Sequence, residues 1–240
     1  MNKEQIIKEA ESYVRTLHQN DTTGHDFEHI LRVRHHALDI AQFEKVDLFV
    51  VELASLLHDA VDKKLFKDGD TAWQQLYQWM NDMELSEAIQ TEIIHILKYV
   101  SYNGGKNKGK LTSLAGKIVQ DADRIDAIGA IGIARTFQYA GHFKEPMHIS
   151  SQQPRNLNDL QEGQYHEEPN TAINHFYEKL LLLKDLMNTK RGKQIAEERH
   201  LFMENFLEQF YQEWDVNEKG AVQKSNLDKK ISSYRPGKDD

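Results

Sequence analysis

DLFVVELASLLHDAVDKK, residues 47–64, decides how the chain folds. Ten residues from Leu48 to Leu57 are apolar at almost every position, which predicts a helix buried on most sides, with Asp47 as its N-cap. His58 and Asp59 then bring an imidazole and a carboxylate to the edge of that core. Desolvating an unpaired carboxylate is expensive, so Asp59 needs a partner there. On a continuing helix Asp62 stands four residues past His58 and three past Asp59, beside both.

The flanking segments are helical in pattern too. Ile6, Ile7, Ala10, Val14 and Leu17 recur at spacings of three and four, and NDTTG at 20–24 ends that stripe. Further helices are predicted over about residues 26–43, 71–83, 86–99, 111–139, 171–187 and 190–214. Gly129 and Gly132 in AIGAIGIA point to close packing or to a break between two helices. SYNGGKNKGK at 101–110 reads as a loop, and 141–169 holds three of the four prolines and little periodicity, as a lid or a partly helical connection would. No stretch alternates long enough to make a strand. The prediction is an all-α domain of seven to nine helices over residues 1–215, followed by a disordered basic tail at 216–240.

Composition narrows the function classes. With 240 residues and no cysteine, the chain has no disulfides, thiolate nucleophile, cysteine zinc finger or iron–sulfur cluster. A transition metal must therefore be held by histidine and carboxylate. A net charge of −8 argues against a nucleic-acid polymer as partner, since basic residues segregate only in the tail. No apolar run is long enough to cross a membrane, and the charged N-terminus MNKEQIIKEAESYVR is unlike a signal peptide. A soluble, cytoplasmic protein is expected.

Two more segments concentrate metal-competent groups. In GHDFEHILRVRHH, residues 24–36, His25 and His29 are spaced to share a helix face. His36 lies about 10.5 Å further along the axis than His29, too far for the same ion. In IVQDADRIDAIGA, residues 118–130, Asp121, Asp123 and Asp126 sit on a largely apolar helix and require counter-charge from Arg124 or a cation. Asp123 and Asp126 share a face and Asp121 points elsewhere; periodicity does not choose between Asp121 and Asp123 as a ligand.

Together these segments resemble the HD superfamily of metal-dependent phosphohydrolases, whose pattern is H…HD…D on an α-helical core. The likeness spans roughly residues 24–137 and is nearest to small bacterial stand-alone HD hydrolases, which share GHD-x-x-H-x-x-RV and QDADR-(I/L)-DAIGAIGIAR with this chain. The resemblance implies a compact HD bundle and His29, His58, Asp59 and Asp123 as metal ligands. It implies one divalent ion, Mn, Mg, Fe, Co, Ni or Zn. Two-metal HD proteins carry extra histidines between HD and the last Asp, where this chain has only His95. Asp59 and Asp62 are the catalytic candidates, and Lys64, His25, Asp26 and Arg124 the substrate-binding ones, with Lys63 and Arg135 as further nearby cations. The implied activity is hydrolysis of a phosphate ester or anhydride in a small phosphorylated metabolite, a nucleotide above all. The alternatives are a non-catalytic nucleotide-sensing or scaffolding HD protein and, behind it, a two-iron redox enzyme. The sequence leaves the oligomeric state open.

Overall fold

The caps predicted from sequence start the helices where expected. The computed structural model describes residues 1–62, 69–103, 106–155 and 170–214. The N-terminal segment forms α1 (Lys3–His18), α2 (Phe27–Ala41), α3 (Leu48–Leu57), α4 (Gly69–Asp82), α5 (Glu87–Tyr99) and α6 (Leu114–Asp126). It is followed by α7 (Gly129–His142), α8 (Ala172–Glu178), a 3₁₀ helix (Leu180–Leu186) and α9 (Lys190–Trp214). The described residues contain no strand, and none of their helices is long and apolar enough to cross a membrane. The fold is all-α. Side chains of Asn2, Asp26, Asp47 and Ser86 accept backbone N–H bonds at the starts of α1, α2, α3 and α5.

The chain divides into two compact units. The first comprises Met1–Asp126 with Met187–Lys193, the second Ala127–Leu186 with Gln194–Asp240. In the first unit α3 is central, packing on α1, α2, α5 and α6, while α2 also packs on α6. Its apolar sequence has this consequence: Phe49, Val50, Val51, Leu53, Ala54, Leu56 and Leu57 are all buried. Truncating Leu53 or Leu56 to alanine in such a core costs about 2–5 kcal/mol. The loop before α9 is tied to α6 through Asp121. Gly192 is required beside it, because a Cβ there would lie 2.5 Å from the Asp121 carboxylate.

In the second unit Phe137, Phe176 and Phe206 form an aromatic core, and Arg155 pairs with the buried Glu178. The glycines of AIGAIGIA mark a break between α6 and α7. Gly129 has φ +76° and opens α7, and at Gly132 a Cβ would collide with the Ala127 carbonyl. The described part of 141–169 forms no regular helix beyond the end of α7; residues 156–169 and the predicted tail at 216–240 lie outside the described residues.

Candidate metal centre

The centre is built in the first unit where the start of α2, the end of α3 and the last turn of α6 converge. Asp26 caps α2 by accepting the His29 N–H at 3.0 Å, which places His29 in the first helical turn, fully buried. The His29 Nδ1 lies 2.7 Å from the Asp126 carboxylate on α6. That carboxylate, also without solvent exposure, accepts from Arg32 Nε at 2.7 Å and Nη2 at 3.2 Å. Asp126 thus holds a proton on Nδ1 of His29 and leaves Nε2 as a bare electron pair.

His58 reaches the same condition by a different route. It is the C-cap of α3, and its Nδ1 lies 2.8 Å from the Ser55 carbonyl. A carbonyl only accepts, so Nδ1 carries the hydrogen and Nε2 is again bare. The two Nε2 atoms face each other at 3.2 Å. With both Nδ1 hydrogens committed, neither neutral ring has a proton to share across that gap.

Two carboxylates close on the same point. Asp59 Oδ2 lies 3.4 Å from His29 Nε2 and 3.5 Å from His58 Nε2, and Asp123 Oδ1 lies 3.8 Å from each. Atoms bound about 2.1 Å from one ion stand about 3.0–3.4 Å apart at octahedral or tetrahedral angles. The His29, His58 and Asp59 atoms lie at or near that range, and Asp123 stands a few tenths of an ångström outside it. His29, His58 and Asp123 offer donor atoms close enough to hold one ion, and facing Nε2 electron pairs are an arrangement that a cation would relieve. Burial raises the Asp59 carboxyl; against it, when the imidazoles carry protons in place of an ion, the charge of His58 and hydrogen bonds from His25 and His29 hold the group well below the usual carboxylate range.

His25, His29 and Asp59 form a second triad with donor atoms close enough to share an ion. Both triads require the same His29 Nε2, which has one electron pair. The two triads therefore overlap in His29.

Residues 26–128 match the HD domain family. YpgQ, an uncharacterized protein of Bacillus subtilis (strain 168), is 38% identical over 210 residues, which are 85% of this chain and 92% of YpgQ. The chain belongs to the HD domain family. A crystal structure from Lactobacillus plantarum superposes with TM-score 0.82 at 37% identity, covering 90% of this chain and all of that one. An HD-superfamily hydrolase from Bacillus thuringiensis does so with TM-score 0.69 at 37% identity, over the same shares. YpgQ has itself been solved in complex with ADP, with TM-score 0.66, 33% identity, and 90% and 98% of the two chains covered.

His58 and Asp59 lie within the matched residues, and the remaining predicted residues stand around them or away from them. Asp121 is fully buried on the other side of α6. There it accepts from Asn188 N, Asn188 Nδ2, Thr189 N and Thr189 Oγ1, each at 2.8 Å. The ambiguity between Asp121 and Asp123 ends there: Asp121 ties down a loop and Asp123 faces the imidazoles. Asp62 does not stand on a helix with His58. The helix stops at Leu57, and turns closed by Ala60 N–H on the Leu57 carbonyl and Asp62 N–H on the Asp59 carbonyl replace it. His25 precedes the Asp26 cap and shares no helix face with His29, yet its Nδ1 reaches Asp59 Oδ2 at 3.3 Å.

Asp26 commits its carboxylate to capping α2. Arg124 is buried on α6; burial lowers its guanidinium pKa against the opposing pull of Asp121, Asp123 and Tyr102. Arg135 belongs to the second unit, and Lys63 and Lys64 lie outside the described residues. His36 packs on His35 and His95 on Tyr99, each at ring distance. Sequence reasoning assigned no role to Asp126 or Arg32, which orient His29. The signal was present in spacing: Asp126 is three residues past Asp123, and Arg32 three past His29.

Proposed function

We propose that this HD protein is a metal-dependent phosphohydrolase that cleaves a phosphate ester or anhydride of a nucleotide. The carrying observation is the pair of facing Nε2 atoms, with both Nδ1 hydrogens committed to Asp126 and to the Ser55 carbonyl. His29, His58, Asp59 and Asp123 hold one divalent ion, of the Mn, Mg, Fe, Co, Ni or Zn class. When bound, that ion supplies positive charge against a phosphoryl oxygen and acidifies water near neutral pH.

The protein's own groups do the rest. Asp126 and Ser55 keep the two imidazoles in the tautomer that ligates. Asp59 sets its carboxylate beside both imidazoles. Asp62 is the residue we assign to moving a proton, from the attacking water or onto the leaving oxygen. Lys64, Arg124, His25 and Asp26 are the residues we assign to the phosphorylated substrate. The net charge of −8 makes local cations necessary for an anionic ligand and disfavours a nucleic-acid polymer. The nucleotide class is supported by the relative YpgQ, whose structure contains ADP.

The test is release of phosphate or pyrophosphate from a panel of nucleotides with each divalent metal in turn. The expected result is metal-dependent turnover that His58→Ala or Asp59→Ala abolishes. Absence of turnover with every metal, across nucleotides and simple phosphate esters, would overturn the reading. Nucleotide binding that persists without metal and yields no product would favour the sensing alternative.

A further inference from the structure

The apolar stripe of α1 ends in an unexpected residue. Ile7, Ala10 and Val14 are buried at helical spacing, and the next position on that face is His18, only 1% exposed. An apolar side chain would fill this place without cost. The imidazole instead leaves Nε2 buried with no hydrogen-bond partner, at a cost in desolvation. Its other nitrogen explains the choice. His18 Nδ1 lies 2.6 Å from the carbonyl oxygen of His25, and since a carbonyl only accepts, Nδ1–H donates.

The preceding peptide, on the other side of the His25 Cα, is also held. Asp21 Oδ1 accepts the His25 N–H at 2.8 Å and the Thr23 N–H at 2.9 Å. Gly24, with φ +88°, makes the intervening turn. The backbone of His25 is thus gripped at its N–H by Asp21 and at its carbonyl by His18, from a helix that supplies none of the four proposed ligands. What that grip delivers is the His25 ring, with Nδ1 3.3 Å from Asp59 and the ring edge against His29.

We propose that His18 and Asp21 are positioning residues which fix the backbone of His25, so that its imidazole is held against Asp59 at the substrate side of the metal centre. This role rests on the phosphohydrolase reading for its catalytic consequence, though not for its geometry. Neither residue touches the ion or the substrate. Misplacing a substrate contact by about 1 Å costs on the order of a hundredfold in rate, so the clamp is worth a measurable part of turnover.

The experiment compares His18→Phe, His18→Asn, His18→Gln and Asp21→Asn in the full chain, with His58→Ala as the metal-site control. Asparagine places an N–H donor where Nδ1 stands; glutamine places its amide nearer Nε2. His18→Phe is expected to lower kcat/KM by about tenfold to a hundredfold. Mn²⁺ affinity should stay within about threefold of wild type, because His25 is not among the four ligands. His18→Asn should recover most of the loss, and His18→Gln should not. Turnover unchanged in His18→Phe, recovery by glutamine in place of asparagine, or Mn²⁺ affinity lost as in His58→Ala would each overturn the proposal.

A second readout separates its failure from failure of the hydrolase reading. In ¹⁵N-histidine-labelled protein, His18 should show the Nδ1–H tautomer. The His25 ring resonances should move in His18→Phe and Asp21→Asn and return in His18→Asn. An Nε2–H tautomer for His18, or His25 resonances indifferent to His18→Phe, overturns the clamp. If no substrate is turned over, the hydrolase reading fails and these spectra still decide the clamp. If His18→Phe does not fold, the contrast between asparagine and glutamine decides it.

Discussion

Helix α6 carries two carboxylates, two residues apart, in opposite circumstances. Asp121 has no exposure and accepts four hydrogen bonds at 2.8 Å from Asn188 and Thr189. Asp123 is 28% exposed and faces two imidazole nitrogens at 3.8 Å, neither with a hydrogen to offer. The first carboxylate is satisfied by the protein's own donors, so it contributes to folding. The second faces the imidazole electron pairs, with only the charge of Arg124 and solvent to offset them, an arrangement that a cation would relieve. Burial pushes the Asp121 carboxyl up in spite of its donors, which marks how much those bonds must offset. A functional carboxylate is recognised here by what it lacks, not by how deeply it is buried.

The contrast breaks first at Asp121. Asp121→Ala leaves up to four buried donors without an acceptor and should cost about 3 kcal/mol or more. Urea unfolding of the metal-free protein measures this. Asp123→Ala, in the same assay, should lie within about 1 kcal/mol of wild type, or be slightly more stable. Equal losses in the two variants would remove the distinction. A smaller effect sharpens it. Asp126→Asn keeps the size of the side chain but weakens the hold on the His29 Nδ1 hydrogen, and should reduce divalent-metal affinity about tenfold to a hundredfold. Calorimetric titration with Mn²⁺ reads this directly, and an unchanged affinity would mean that His29 needs no orienting partner.

Much of this was legible in the sequence, for reasons that differ by residue. The caps Asp47 and Ser86 and the apolar run of α3 are local features, and local features translate directly into helices. The HD pair stood out because a carboxylate and an imidazole sat at the edge of an apolar helix. Asp62 misled because helical spacing was extended past Leu57, and nothing in AVD announces that the chain turns there. Asp121 and Asp123 could not be separated by periodicity, since the deciding partners, Asn188 and Thr189, lie 67 and 68 residues away from Asp121 in sequence. His18 went unread for a similar reason: a histidine closing an apolar stripe looks like a boundary residue until its carbonyl partner is seen. The division into two units is likewise a property of long-range contacts, which periodicity does not report.

The central claim is that His29, His58, Asp59 and Asp123 form the binding site for one divalent ion. Its most direct test is Mn²⁺ titration of the metal-free chain, with bound metal counted per chain for wild type, His58→Ala and Asp123→Ala. The account predicts one tight ion in the wild type and loss of that ion in both variants, with each still folded. Binding that survives both substitutions, or no binding above that of ordinary surface carboxylates, would contradict it.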